Sequence, residues 1–137
     1  MPSAKITSDA RLSEIGYGQA DGLTFHEFAA KYPQIVEQWN QGEDPPFPGG
    51  ESMAQVSRRL ENFLATLSGR SCLIVTHNVV LRCLLGQRLG LPICFWHLIP
   101  VDHLEEIRTT YLNGRIYLNL TPLFLEKIRQ QLVGKLK

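Results

Sequence analysis

Two hydrophobic rhythms alternate along the chain. Met53, Val56, Leu60, Phe63, Leu64 and Leu67 recur at the spacing of one helix face. They predict an amphipathic helix over about 52–68. Ser52 precedes it as N-cap with Gln55 at the capping-box position, and Gly69 stands as its stop. An earlier helix is predicted from Thr24, where Glu27 completes a capping box and Leu23 and Phe28 are placed as a hydrophobic staple. Its apolar side is Phe25, Phe28, Ala29 and Tyr32. Pro33 interrupts the pattern, and Ile35, Val36 and Trp39 resume it. Residues 1–22 are polar and broken by Gly16, Gly18 and Gly22, which reads as loop after a short strand near 5–7. Gly42 to Gly50 is a second loop, rich in proline and glycine.

The rhythm changes at Cys72-Leu73-Ile74-Val75, a continuous apolar run. It predicts a strand buried on both faces, as in a parallel sheet. Thr76-His77-Asn78 follows, and residues 79–89 predict a helix closed by Gly90 and Pro92. Strand, polar turn and helix make a βα unit, and ligands bind at the carboxyl ends of such strands. Residues 104–111 and 115–120 predict a hairpin around Asn113-Gly114. The tail predicts a helix with Thr121 as N-cap, Pro122 at its first position, and Leu125, Ile128, Leu132 and Leu136 on one side.

Composition narrows the class. At 137 residues, with 44% hydrophobic and 20% charged positions, the chain is sized for one globular domain. No apolar stretch has the length of a membrane span, and Met1 to Asp9 lacks the layout of a signal peptide. The net charge of +1 argues against a dedicated nucleic-acid binder. Residues 1–69 hold 5 basic and 9 acidic groups, and residues 70–137 hold 9 and 4, a bias by which the second half suits an anionic small substrate or an acidic partner. Cys72, Cys83 and Cys94 are odd in number and form no C-x-x-C pair. They indicate neither a disulfide framework nor a zinc knuckle, Cys72 and Cys83 read as buried hydrophobes, and a reducing cytoplasm fits best.

His77 is the most telling residue. It lies between a buried strand and a helix N-terminus, where an imidazole can hold a phosphate and titrate near neutral pH. The alternative is a capping or core histidine. Glu14 lies in a glycine-rich loop and is the second candidate, as a general acid; a solvated loop charge is the alternative.

The motifs in order resemble the histidine phosphatase superfamily, in its phosphoglycerate mutase-like branch. Arg11-Leu12-Ser13-Glu14-Ile15-Gly16-Tyr17-Gly18-Gln19-Ala20-Asp21-Gly22 resembles the family's L-x-E-x-x-x-G-x-x-E-G segment. Pro48-Gly49-Gly50-Glu51-Ser52 with Arg59 is similar to its P-G-G-E-S helix start. Residues 74–82, Ile-Val-Thr-His-Asn-Val-Val-Leu-Arg, resemble its V-x-H-G-x-x-I-R strand and turn, and the hairpin ending at Asn119 looks like its last strand. The resemblance implies an α/β fold, a partial three-layer α/β/α arrangement with a mostly parallel sheet and a C-terminal hairpin. It implies one incomplete domain over residues 1–137 with an added helix at about 122–136. It also implies phosphomonoester hydrolysis through a phosphohistidine, with Glu14 as proton donor and His77 holding the transferring phosphoryl group. Asn78, beside His77, is assigned to substrate binding. No cofactor and no metal are implied.

The chain departs from the pattern in five places, one of them an arginine that the family carries between its R-H-G motif and the glutamate and that has no counterpart here. None of His26, His77, His97 and His103 sits in an R-H-G motif, the family's nucleophile. That group is expected from outside these residues, in a separately encoded piece or an upstream region. Ala20 and Asp21 stand where Trp and Glu are usual, and Asn78 where Gly is usual. A non-catalytic phosphate-binding or assembly module is the alternative function. Expected partners are a small phosphorylated molecule and either a second copy in a homodimer or a complementing N-terminal fragment, with no nucleic acid and no membrane. A sheet lacking its first strand exposes an edge and an apolar face; the tail helix is expected on that region, on a second subunit, or on its own core as an ordinary surface helix.

Overall fold

Local capping signals fix the helices. The computed structural model describes residues 5–67, 69 and 71–135. Thr24 accepts the Glu27 N–H and Glu27 accepts the Thr24 N–H, so α1 (Phe25–Lys31) begins with a complete capping box. Pro33 opens α2 (Pro33–Asn40). Ser52 and Gln55 form the same reciprocal pair at the start of α3 (Met53–Leu64). The Asp44 carboxylate takes the Met53 and Ala54 N–H groups at 3.0 and 2.8 Å, so the first turn of α3 is almost fully satisfied. The helix stops before its predicted end. Thr66 donates its hydroxyl to the Phe63 carbonyl at 2.6 Å, a local bond that competes with continued helix. The predicted end at Ser68 lies outside the described residues.

The next helix, α4 (Asn78–Arg88), closes with the Leu91 N–H on the Gly86 carbonyl and the Gly90 N–H on the Gln87 carbonyl, a Schellman motif. Strands β1 (Thr109–Leu112) and β2 (Arg115–Leu118) pair antiparallel with Leu112 opposite Arg115. Asn113 and Gly114 take φ of 50° and 77°, the left-handed pair of a type I′ turn. Thr121 caps α5 (Pro122–Leu132). The core sits where α3 packs on α4, with Val56, Leu60 and Leu64 facing Val80, Cys83 and Leu84. Ile15, Trp96 and Ile99 extend it, and α5 closes it with Phe124, Ile128 and Leu132.

Helices and an antiparallel two-stranded sheet make up the described fold, which accords with the α/β class. Several local expectations are corrected. Residues 5–7 form no strand, and Ile6 is exposed. Residues 72–76 join no ladder among the described residues. Exposure alternates there: Leu73 is 88% and Val75 83% exposed, while Ile74 and Thr76 turn inward. The period of two is that of a strand, but only one side is covered. A run is buried on both faces only when neighbouring strands carry helices over it, and no such strand lies among the described residues. Cys72, in phase with Ile74 and Thr76, is nevertheless exposed at the start of the run, so the alternation holds only from Leu73 on, while Cys83 is fully buried. On α5 the inward stripe is set by Phe124 in place of Leu125, which is 44% exposed; α5 packs on the chain's own core, and Leu136 lies outside the described residues. Phe25 is 68% exposed and stands outside the core.

Candidate phosphoryl site

The loop that carries Glu14 is held from below by α3. Arg59 projects its guanidinium under residues 11–16. Its Nη1 donates to the Arg11 carbonyl at 2.7 Å and its Nη2 to the Glu14 carbonyl at 3.1 Å. The same group pairs with both oxygens of Glu51, at 2.9 and 3.0 Å. Glu51 in turn accepts the Gly16 N–H at 2.9 Å, and its own N–H binds the Gly16 carbonyl at 2.8 Å. The hydrogen bonds from Arg59 hold the Glu51 carboxyl below its ordinary value against partial burial, with the Gly16 N–H and the Arg59 charge assisting. Gly50 is required here: a Cβ would stand 2.1 Å from the Gly16 carbonyl oxygen. This clamp fixes the backbone on which Glu14 rides.

The Glu14 side chain turns toward the start of α4. Its Oε1 accepts the Ile15 N–H at 2.9 Å, and its Oε2 accepts the Val79 N–H at 3.3 Å. Val79 follows His77 by two residues, so the loop carboxylate and the histidine turn meet at one helix N-terminus. Thr76 adds a second tie, donating its hydroxyl to the Leu12 carbonyl at 2.7 Å. His77 is the N-cap residue, with extended backbone and an exposed side chain that makes no cap bond. An exposed imidazole at a helix N-terminus is placed to donate to an anion.

Asn78 sits at the first position of α4 in right-handed helical conformation, so the positive φ that its Asn could tolerate is not used. Its Nδ2 donates to the Val101 carbonyl at 2.7 Å. One turn on, Arg82 donates Nε to the Ile99 carbonyl at 2.8 Å. These two bonds tie one face of α4 to the 99–101 segment. Arg82 is half-buried, and burial pulls its guanidinium below the ordinary arginine value against the opposing pull of Tyr17 and Glu14. Burial likewise pushes the Tyr17 phenol up, and the Glu14 charge adds to it. Tyr17, Glu14 and Arg82 therefore share one electrostatic neighbourhood.

The structure thus brings Glu14, His77 and Asn78 to one end of α4. Reading the sequence did not single out Arg59, Glu51, Arg82 or Tyr17 for a role. All four stand inside the motifs quoted from the sequence, which is the available signal. Nothing in residue spacing reveals that Arg59 reaches back 45 and 48 positions to the Glu14 loop.

Comparison with known proteins shows what the chain resembles. The chain is 28% identical over 134 residues to phosphoserine phosphatase 1 of Hydrogenobacter thermophilus, covering 89% of this chain and 64% of that protein. It is 34% identical over 93 residues to a probable phosphoglycerate mutase GpmB of Yersinia enterocolitica, and 38% over 96 residues to its counterpart in Salmonella paratyphi B. Each of these two matches covers 64% of this chain and 43% of the relative. The chain therefore spans between under half and about two thirds of the length of these relatives. The histidine phosphatase superfamily (branch 1) matches over residues 2–121. With the Glu14 loop, the Glu51–Arg59 clamp and the His77 turn all inside that span, the chain belongs to the histidine phosphatase superfamily.

Proposed function

We propose that this chain supplies the acid and phosphate-holding half of a phosphomonoester hydrolysis site. The carrying observation is the convergence of the Glu14 carboxylate and the His77 turn on the N-terminus of α4, through the Glu14–Val79 hydrogen bond. In this reading His77 and the helix N-terminus hold the phosphoryl oxygens. Glu14 delivers a proton to the departing alcohol oxygen as the P–O bond breaks. Asn78, at the first position of α4, borders the phosphate through the helix N-terminus and keeps the turn in place by donating its Nδ2 to the Val101 carbonyl. The nucleophile is a histidine of an R-H-G segment from outside these residues. It attacks phosphorus to form a phosphohistidine, and water then cleaves the P–N bond to release inorganic phosphate. The names of the relatives point to phosphate esters of small hydroxy compounds, and the substrate class proposed here is the same.

The same proposal accounts for the open side of residues 72–76. Leu73 and Val75 face outward where a covering layer of a three-layer domain would pack, and the backbone of residues 72–76 offers the edge on which a neighbouring strand would pair. A complementing N-terminal fragment, or a second copy in a homodimer, covers that edge. No helix of the described residues is long and apolar enough to cross a membrane, and three free cysteines suit a reducing cytoplasm.

The test is phosphate binding by the chain alone. Titration of inorganic phosphate, followed by phosphorus NMR line broadening, is expected to show saturable binding that His77→Ala removes. Binding that persists unchanged in His77→Ala would remove the histidine from the site.

A further inference from the structure

Five aromatic side chains gather between the 17–20 turn, α1, α2 and the 45–48 loop. Tyr17 meets Phe47 edge-on with ring centroids 5.1 Å apart. Phe28 stacks on Trp39 at 5.3 Å and touches Tyr32 at 5.1 Å. Phe47 stands edge-on to Phe28 and Trp39 at 5.7 and 5.3 Å. The cluster does not close on itself. It leaves a hollow of about 220 Å³ lined by Tyr17, Leu23, Phe25, Phe28, Trp39 and Phe47, with no charged side chain in its wall.

Three features set this hollow apart from a packing gap. Ala20 forms part of its wall, and its small side chain leaves the space beside the rings open. Phe25 is 68% exposed at its rim, and Tyr17 and Leu23 are each 36% exposed, an apolar patch held open to solvent. The hollow also shares the loop that carries Glu14: Tyr17 in its wall lies three residues beyond Glu14, a span of at most about 11 Å along the chain. The charges of Glu14 and Arg82 act on its phenol accordingly. Gln19 anchors the same turn to the opposite wall, its N–H on the Pro48 carbonyl at 2.8 Å.

We infer that this hollow is the subsite for an uncharged ring carried by the alcohol portion of a phosphate monoester whose phosphoryl group lies at the Glu14–His77 end. The inference rests on the phosphomonoester reading of that end. Size supports one ring, since an apolar cavity of about 150 Å³ already takes benzene. Chemistry supports a neutral one, because a charged group would lose its hydration among the aromatic walls without a partner. Ring faces and edges offer the offset and edge-on contacts that aromatic groups prefer.

The test titrates the full chain with phenyl phosphate, phenol and inorganic phosphate, following the Trp39 indole and the His77 ring by NMR. Phenyl phosphate is expected to bind about tenfold more tightly than inorganic phosphate and to move the Trp39 indole, which inorganic phosphate does not. Phe25→Ala removes an exposed rim ring and is expected to erase about fivefold of that gain, with inorganic phosphate binding unchanged. Ala20→Phe fills the hollow and is expected to erase the gain altogether. Equal affinity for phenyl phosphate and inorganic phosphate, or a gain that survives both variants, overturns the subsite. Phenol that binds as tightly as phenyl phosphate, with His77→Ala indifferent to both, leaves a ring site but overturns the ester and the phosphomonoester reading with it.

Discussion

The Oε2 atom of Glu14 accepts the Val79 backbone N–H, 3.3 Å away and two residues beyond His77. A carboxylate at that point satisfies a helix N-terminus and also faces any anion held there. Glu14→Gln keeps an acceptor for Val79 but removes the charge. Inorganic phosphate is therefore expected to bind several-fold more tightly to the variant. Phosphatase turnover, measured with the nucleophile-bearing segment added, is expected to fall about a hundredfold, the scale of a lost general acid. Calorimetry and an initial-rate assay read the two effects, and a loss of both together would assign Glu14 to structure alone.

Arg59 is the mechanical support of that loop. Its partly buried guanidinium serves two carbonyls and one carboxylate at once. Arg59→Ala leaves these groups without partners and is expected to cost about 2–3 kcal/mol in chemical denaturation. Arg59→Lys keeps the charge but loses the planar fork, and is expected to recover less than half of that loss. Full recovery by lysine would show that charge, and not the fork, holds the loop.

The three thiols report on burial and on the open strand. Burial pushes the Cys83 thiol up to about 12. Cys72 is exposed and Cys94 is half-buried. Timed modification with N-ethylmaleimide and peptide mapping is expected to label Cys72 first, Cys94 more slowly, and Cys83 only on unfolding. An added segment that pairs along residues 72–76 is expected to slow Cys72 and leave Cys94 unchanged. Early labelling of Cys83 would contradict the packing of α3 on α4.

A modest acid sensitivity is expected from His97. The residue is exposed overall, but partial burial of the imidazole holds it below the ordinary value of 6.5, against a hydrogen bond with the Cys94 backbone and with the charges of Arg82 and Lys135 acting in the same direction; solvent screening keeps the effect small. The unfolded chain then takes up the proton at a higher pH than the folded one. The stabilising contribution is complete above about pH 6.5 and is lost as pH falls through that value toward the folded-state pKa. Thermal melting between about pH 7.5 and about pH 5.5 is expected to show this decline, and His97→Gln to flatten it. An equal slope in the variant would move the effect elsewhere.

Features set by a few adjacent residues were legible in the sequence. The Thr24–Glu27 and Ser52–Gln55 boxes, the Asn113-Gly114 turn and the Thr121-Pro122 start all lie where local hydrogen bonding places them. Residues 72–76 were not legible as they stand, because an apolar run specifies a strand without specifying its neighbours. The phase of α5 was misread at Leu125 because Phe124 and Leu125 are both apolar and only the core selects between them. Glu14 and His77 could be named from motifs, but their meeting point could not. It depends on Arg59 and Thr76 reaching residues far away in the chain. The aromatic hollow was hidden for the same reason, since its walls come from four separate segments.

The most direct measurement is turnover of p-nitrophenyl phosphate by the chain with and without a polypeptide carrying the R-H-G strand of a family member. The chain alone is expected to show no turnover above buffer. The mixture is expected to gain turnover in proportion to the complex seen by sedimentation, and His77→Ala to abolish it. Turnover by the chain alone at the level of an intact family member would contradict the division of the site between two segments. So would a complex that sediments as one species yet stays inert, or one whose activity survives His77→Ala.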